Sequence, residues 1–223
     1  MASMREQAFA AIRAGDAKVL ARLLASDSKV ANARDDSGLS LLIQACYFKR
    51  QDMVDLIQAA GPSIDIFEAA ALPGVVGHGA ELLQSDPNLA AVWSRDGFTA
   101  LHLASYFGND AMADLLLRYG ADANAVSRNG MALRPLHSAA ASQCTDIVEL
   151  LLAHGAEPNA KQHGGWSPLH AAVASGNALL VKLLLAHAAD PNLTNDDGKS
   201  AFDLADERGQ SDITNLLRSR ADG

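Results

Sequence analysis

The sequence is short of several things that particular functions require. Only 5% of its 223 residues are aromatic, and two are cysteines, Cys46 and Cys144. Two thiols so far apart offer no disulfide framework and no CxxC metal spacing, which points to a reducing compartment, most simply the cytoplasm. Basic residues are scarce: 18 Lys and Arg face 26 Asp and Glu, for a net charge of -8. Coating nucleic acid or an anionic membrane surface needs clustered cations, so neither partner is expected. Long apolar runs are missing too. The N-terminus, MASMREQAFAAIRAGD, acquires charge at once, and no stretch of ~20 apolar residues follows, so neither a signal peptide nor a membrane span is expected. No GxSxG, HExxH, paired-carboxylate or dinucleotide-binding pattern is present. The Gly-rich PGVVGHG of 73–79 lacks the Lys and the frame of a phosphate loop and reads as a helix–helix connection. We therefore expect no enzyme, no cofactor and no metal.

What is present in quantity is small and aliphatic residues, arranged in a repeat. The apolar share of 49% is that of a folded chain. Leu101–His102 recurs as Leu136–His137 and Leu169–His170, at steps of 35 and 33 residues. Leu115–Leu116–Leu117 recurs at Leu150–Leu152 and Leu183–Leu185, and Asn124 at Asn159 and Asn192, with the same two steps. Self-similarity at such a period marks a solenoid of stacked supersecondary units. Within a unit, Pro135 and Pro168 suit the first turn of a helix, where the missing N–H costs nothing. Ala139, Ala140, Ala171 and Ala172 permit close stacking, and Ile147, Leu150 and Leu151 follow at helical spacing. Gly120 and Gly155 stand where a left-handed residue ends a helix, and Ala188 fills that slot in the next unit, where strain is expected. The Asp-Gly and Asn-Gly steps at 96–97, 129–130 and 197–198 favour tight turns.

The segments DGFTALHLAS (96–105), RPLHSAA (134–140), GWSPLHAAV (165–173) and DGKSAFDLAD (197–206) carry the helix-start motif. YGADANA (119–125), HGAEPNA (154–160) and HAADPNL (187–193) close it. This pattern resembles the ankyrin repeat, a Gly-bearing turn, Thr-Pro-Leu-His-x-Ala-Ala, a Leu pair and Gly-Ala-Asp-x-Asn. Weaker copies are GLSLLIQACY (38–47), IDIFEAAALPG (64–74), which has no proper finger before it, and FAAIRAGDAKVLARLL (9–24). The resemblance implies a single all-α ankyrin solenoid of about seven helix pairs with β-turn or hairpin fingers, near 4–33, 35–63, 64–93, 94–126, 127–161, 162–194 and 195–220. Its outer pairs are expected to carry polar ends. The aromatic pair before Gly, Tyr106–Phe107–Gly108, is similar in style to stand-alone bacterial ankyrin proteins.

The resemblance also implies roles. His102, His137 and His170 would tie fingers to helices rather than bind metal, since stacked residues ~8–10 Å apart cannot converge on one ion. His154 and His187 read as solvated helix-end residues, and both cysteines as small packing residues. Positions after the inner-helix Ala pair and beside the finger turn face the concave groove. They carry Tyr47, Phe48, Tyr106, Phe107, Trp93, Phe98 and Trp166, seven of the eleven aromatics. Such side chains suit a binding surface. Arg95, Asp96, Arg128, Arg134 and Lys161 are expected to form a polar rim, and His163 lies on a finger. Gly130 and His137 are two residues further apart than Gly97 and His102, so the finger of 128–135 should protrude with Met131 and Leu133. The expected function is a non-catalytic module, adaptor or inhibitor, holding another protein, and the chain is expected to be a monomer. The alternatives are a small-ligand or enzymatic site in the groove, and a self-associating scaffold.

Overall fold

A computed structural model describes residues 2–221. Among the described residues it holds fourteen α-helices and no strand. They run as consecutive pairs: α1 (Met4–Ala14) and α2 (Ala17–Ser26), α3 (Leu41–Tyr47) and α4 (Gln51–Ala59), α5 (Ile66–Ala71) and α6 (Val76–Ser85), α7 (Ala100–Phe107) and α8 (Asp110–Arg118). After these come α9 (Pro135–Ala141) and α10 (Thr145–Ala153), α11 (Pro168–Ala174) and α12 (Ala178–Ala186), α13 (Ala201–Glu207) and α14 (Ser211–Ala221). The first helices pack on one another in chain order; the second helices do the same from α2 to α4 and from α6 to α14, with the outer layer loosened between α4 and α6, giving a two-layered solenoid.

Local chemistry sets where the first helices begin. Ser3, Asp65, Thr99 and Ser200 stand at N-caps and each forms a reciprocal box with the residue three positions on, while the Ser167 N–H and hydroxyl both meet His170 Nδ1. Pro135 and Pro168 occupy the first turn. Packing then follows the repeat: Ala104, Ala139, Ala172 and Ala205 are fully buried between first helices, where a larger side chain would push the layers apart. Leu116, Leu151, Leu184 and Leu217 are fully buried from the second layer. Each such Leu contributes about 1.5–3 kcal/mol by leaving water. At the two ends Arg5, Glu6, Arg13, Lys18, Asp203, Asp206, Glu207, Arg208 and Arg218 are exposed.

Five fingers link the pairs. In four, a backbone N–H donates to the carbonyl four residues on: Asp35 to Leu39, Ser94 to Phe98, Gln162 to Trp166 and Asn195 to Lys199. Isolated antiparallel bridges, Arg34 with Ser40 and Trp93 with Thr99, flank the first two. The finger of 127–133 spans two residues more, closing from Ser127 N–H to Leu133 O at 2.7 Å. Neighbouring fingers are tied by backbone bonds, Arg128 N–H to Gly97 O at 2.8 Å and His163 N–H to Met131 O at 2.9 Å. Gly97 has φ 84°, and a Cβ there would lie 2.9 Å from the Arg128 carbonyl carbon, so only Gly permits this contact.

Two departures from regularity matter. The left-handed slot held by Gly120 (φ 84°) and Gly155 (φ 79°) is filled by Ala188 at φ 63°, an unfavourable region for a residue with a Cβ. Ala188→Gly is expected to raise stability by up to about 1 kcal/mol, less the extra chain entropy of Gly; a urea midpoint that falls instead would show the strain to be negligible. The second departure is pair α5–α6, which lacks a finger. Here the apolar core divides into two clusters, one built largely from α1–α4 and the other from α5 to α14.

Candidate partner-binding surface

The first helices and fingers gather side chains from three pairs around one cavity of about 390 Å³. Tyr47 comes from α3, Asp96 and Phe98 from the finger before α7, Tyr106 from α7, and Met131 and Leu133 from the long finger. The cavity exists because of α5. That helix is six residues long, ends at Ala71 and has no finger before it, so its pair offers no large side chain here. Tyr47 therefore reaches past it to Tyr106 and Phe107, with ring centres 5.4 and 4.9 Å apart. Tyr106 and Phe107 meet edge to face at 5.1 Å. Such tilted and edge contacts are the favoured aromatic geometries.

Exposure sorts these residues. Met131 is 53% exposed, Phe48 44% and Tyr106 40%, whereas Tyr47, Phe98, Phe107 and Leu133 are half-buried. Trp93 and Trp166 do not line the cavity: they are half-buried and lie against the rings of His102 and His170, 6.1 and 5.8 Å away. Phe98 also rests on His102, at 5.6 Å. Phe48 lies outside the cavity as well.

The rim residues are divided. Arg128 places its guanidinium carbon 4.1 Å from the Trp93 ring centre, a cation–π contact. Arg95 is exposed and stacks along Gly38 of the preceding finger. Arg134 turns away to Glu157 at 2.6 Å and Asn124 at 3.2 Å, and Lys161 donates to Thr194 O at 2.6 Å. His163 is exposed, one backbone bond from Met131. Asp96 accepts from the Ser94 hydroxyl through Oδ1.

The in-register histidines act as struts. The N-cap N–H of Thr99, Arg134 and Ser167 donates to Nδ1 of His102, His137 and His170, which assigns the proton to Nε2. Nε2–H then donates to Leu133 O and Lys199 O at the ends of the following fingers and to Ala160 O just ahead of the finger of 162–166, at 3.0–3.1 Å. Burial, only partly offset by these carbonyls, pushes His102 and His137 down to about 4, so both are neutral at neutral pH. Burial also lifts the Cys46 thiol to about 12 and raises that of Cys144, which keeps both protonated and unreactive. Among the described residues no three His, Cys, Asp or Glu side chains stand close enough to hold a metal ion. None of the described helices is long and apolar enough to cross a membrane.

Three further features are not evident from the repeat pattern: a brace in the long finger, a second cavity and a carboxylate in a histidine slot. Asn129 braces the long finger, accepting from Ser127 Oγ and Met131 N–H and donating to Asp96 O. Its Asn-Gly step signalled the turn but not this contact between fingers. Cys46, Lys49 and Cys144 line a second cavity of about 420 Å³, which shares Tyr47 and Tyr106 with the first. Glu68 occupies in α5 the place that histidine holds in α7, α9 and α11. The box Asp65-x-x-Glu68 is the signal that reveals it.

Comparison with known proteins agrees with this architecture. Ankyrin repeats in three copies match residues 66–162, and a further ankyrin repeat matches 164–196, together more than half of the chain. The Neurogenic locus Notch protein of Drosophila melanogaster is 37% identical over 86 residues, 38% of this chain and 3% of that protein. Transient receptor potential cation channel subfamily A member 1 of Homo sapiens is 42% identical over 67 residues, 30% of this chain and 6% of that protein. The B-cell lymphoma 3 protein homolog of Mus musculus is 41% identical over 73 residues, 32% of this chain and 16% of that protein. The chain thus spans a small part of each of these relatives, and what it shares with them is the repeat. Ankyrin repeats generally mediate protein–protein interaction. With its repeats matched over most of their length and its helix pairs stacked as a solenoid, the chain belongs to the ankyrin-repeat family.

Proposed function

We propose that this chain is a non-catalytic adaptor or inhibitor that holds a partner protein on the concave face built by its first helices and fingers. The observation that carries the reading is the convergence of Tyr47, Phe98, Tyr106 and Met131, from three pairs, around one apolar cavity. Aromatic and Met side chains that stay partly in water are costly for a domain that binds nothing, and they are the residue types that anchor interfaces. The reading includes a monomer working in the cytoplasm, supported by two unpaired cysteines and by the acidic balance.

Removing two exposed anchors tests it. Tyr106→Ala with Met131→Ala should leave the melting temperature within about 2 °C, because neither side chain is a core residue. Partner affinity should fall at least tenfold, since hot-spot truncations cost ~2 kcal/mol or more. Affinity capture from a lysate of the source organism, wild type beside the double variant and read by mass spectrometry, makes the comparison. A partner held equally by both proteins would overturn the assignment to this face.

A further inference from the structure

The cavity carries one formal charge. Of the residues lining it, His102 is neutral at neutral pH and Asp96 is the only carboxylate, with no cation among them. Asp96 makes no ion pair among the described residues, and its Oδ2 has no hydrogen-bond partner there. Arg128 does not neutralise it, being held over Trp93. The remaining walls are the rings of Tyr47, Phe98 and Tyr106, the apolar Leu103, Met131 and Leu133, and the uncharged polar Asn129 and Ser138. Burial raises the Tyr47 hydroxyl, and the Asp96 carboxylate adds to the effect, so the two groups feel one another. A half-buried carboxylate among aromatic faces is a site for a cation, which ring quadrupoles and the fixed charge attract together. At about 390 Å³ the space is at the small end of the ~300–1,000 Å³ of ligand pockets, enough for one long side chain and not for a helix.

We propose that this cavity takes a basic side chain of the partner, arginine foremost, with its stem on the rings and its head on Asp96. The inference rests on the concave-face reading above. Arginine fits better than lysine because a planar guanidinium stacks on rings while forking onto a carboxylate. The net charge of -8 steers such a segment toward the protein.

The test uses a library of seven-residue peptides, capped at both ends, with the central residue fixed in turn as each of the twenty amino acids. Binding to immobilised wild-type protein should enrich central Arg and then Lys. In the best peptide, Arg→citrulline, a neutral isostere, should weaken Kd at least tenfold against wild type and less than twofold against Asp96→Asn. The ligand-side substitution needs no folded variant, and Asp96→Asn keeps the Ser94 bond, which its melting temperature checks. Peptides enriched without a basic centre, and lost in Tyr106→Ala, would overturn this inference while leaving the concave-face reading intact. Basic enrichment with an unchanged citrulline effect in Asp96→Asn would overturn the assignment to this cavity. No binding by any peptide would overturn the inference also, and the capture experiment above then decides separately whether a folded partner uses the face.

Discussion

Asn109→Ala is expected to destabilise the solenoid by about 3 kcal/mol, although the residue does not line the candidate binding cavity. Asn109 is 1% exposed. Its Oδ1 accepts from Met112 N–H at 3.2 Å, capping α8. Its Nδ2 donates to Ala69 O at 3.1 Å and Ala70 O at 3.2 Å, in the preceding pair. Those carbonyls need an outside donor for a local reason. The last carbonyls of any helix lack partners in the helix, and here α5 ends at Ala71 with Leu72 extended and Pro73, which has no N–H, next. One amide side chain thus starts one helix and finishes another across the interface. Removing it abolishes the cap and leaves buried carbonyls without donors, each at about 1–3 kcal/mol. For a chain of this size the melting temperature should drop by roughly 6–12 °C. Asn109→Ser separates the two parts, since its short hydroxyl keeps the cap and cannot span to α5; it should recover about 1 kcal/mol. A melting temperature within 2 °C of wild type for the Ala variant would show that the bridge contributes nothing.

The two kinds of residue differ in how far sequence exposes them. Repeat register, helix pairing and the Thr/Ser–His pairs are encoded locally, three residues apart or at one fixed period, so they were legible from Leu101–His102 and its copies. The finger insertion was legible too, because Gly130 and His137 change their spacing. The bridge of Asn109 is not, because its acceptors lie 39 and 40 residues away, and the Asp65-x-x-Glu68 box signals a helix start but not the Arg34 that Glu68 faces, 34 residues upstream. The cavity escaped for the same reason. Register places Tyr47 and Tyr106 each on the concave face, but only a short α5 lets them meet across a missing finger. The two tryptophans show the converse limit. Position beside a turn indicates a face, yet does not reveal that His102 and His170 supply rings for them to lie on. Which half-buried aromatic remains available to a partner is therefore decided by contacts between repeats.

Glu68 makes the strongest statement about pH. It stands in the histidine slot of α5 with a side chain 2% exposed, facing the Arg34 guanidinium at 3.0 Å, while Arg34 also holds Asp65 at 2.8 Å. Two carboxylates share one cation in the seam between the two core clusters. Burial first, then the neighbouring Asp65, push Glu68 up to about 7, whereas hydrogen bonds from Glu68 and the Phe67 N–H, with Arg34, outweigh burial and hold Asp65 below its usual value. Folded Glu68 keeps its proton above the unfolded value of about 4.5, so its contribution is fully present below that pH and is lost as pH rises through about 7. The loss falls on the seam. His102 and His137 work in the opposite sense. Their folded values of about 4 lie below the unfolded 6.5, so their contribution is present above 6.5 and is lost as pH falls through 4. A solenoid's stability is a sum over neighbouring interfaces, so these opposing effects should separate along the chain rather than cancel. Hydrogen exchange corrected for intrinsic rates should show α1–α4 losing protection about tenfold or more between pH 5.5 and 8. Helices α7–α10 should instead lose protection between pH 6.5 and 4. Glu68→Gln should abolish the first change and leave the second in place, because an amide still accepts from the Asp65 N–H without a charge to bury. Equal protection of α1–α4 at pH 5.5 and 8 in the wild type would overturn the assignment of a protonated Glu68, and an unaltered slope in Glu68→Gln would move the titration to another group in the seam.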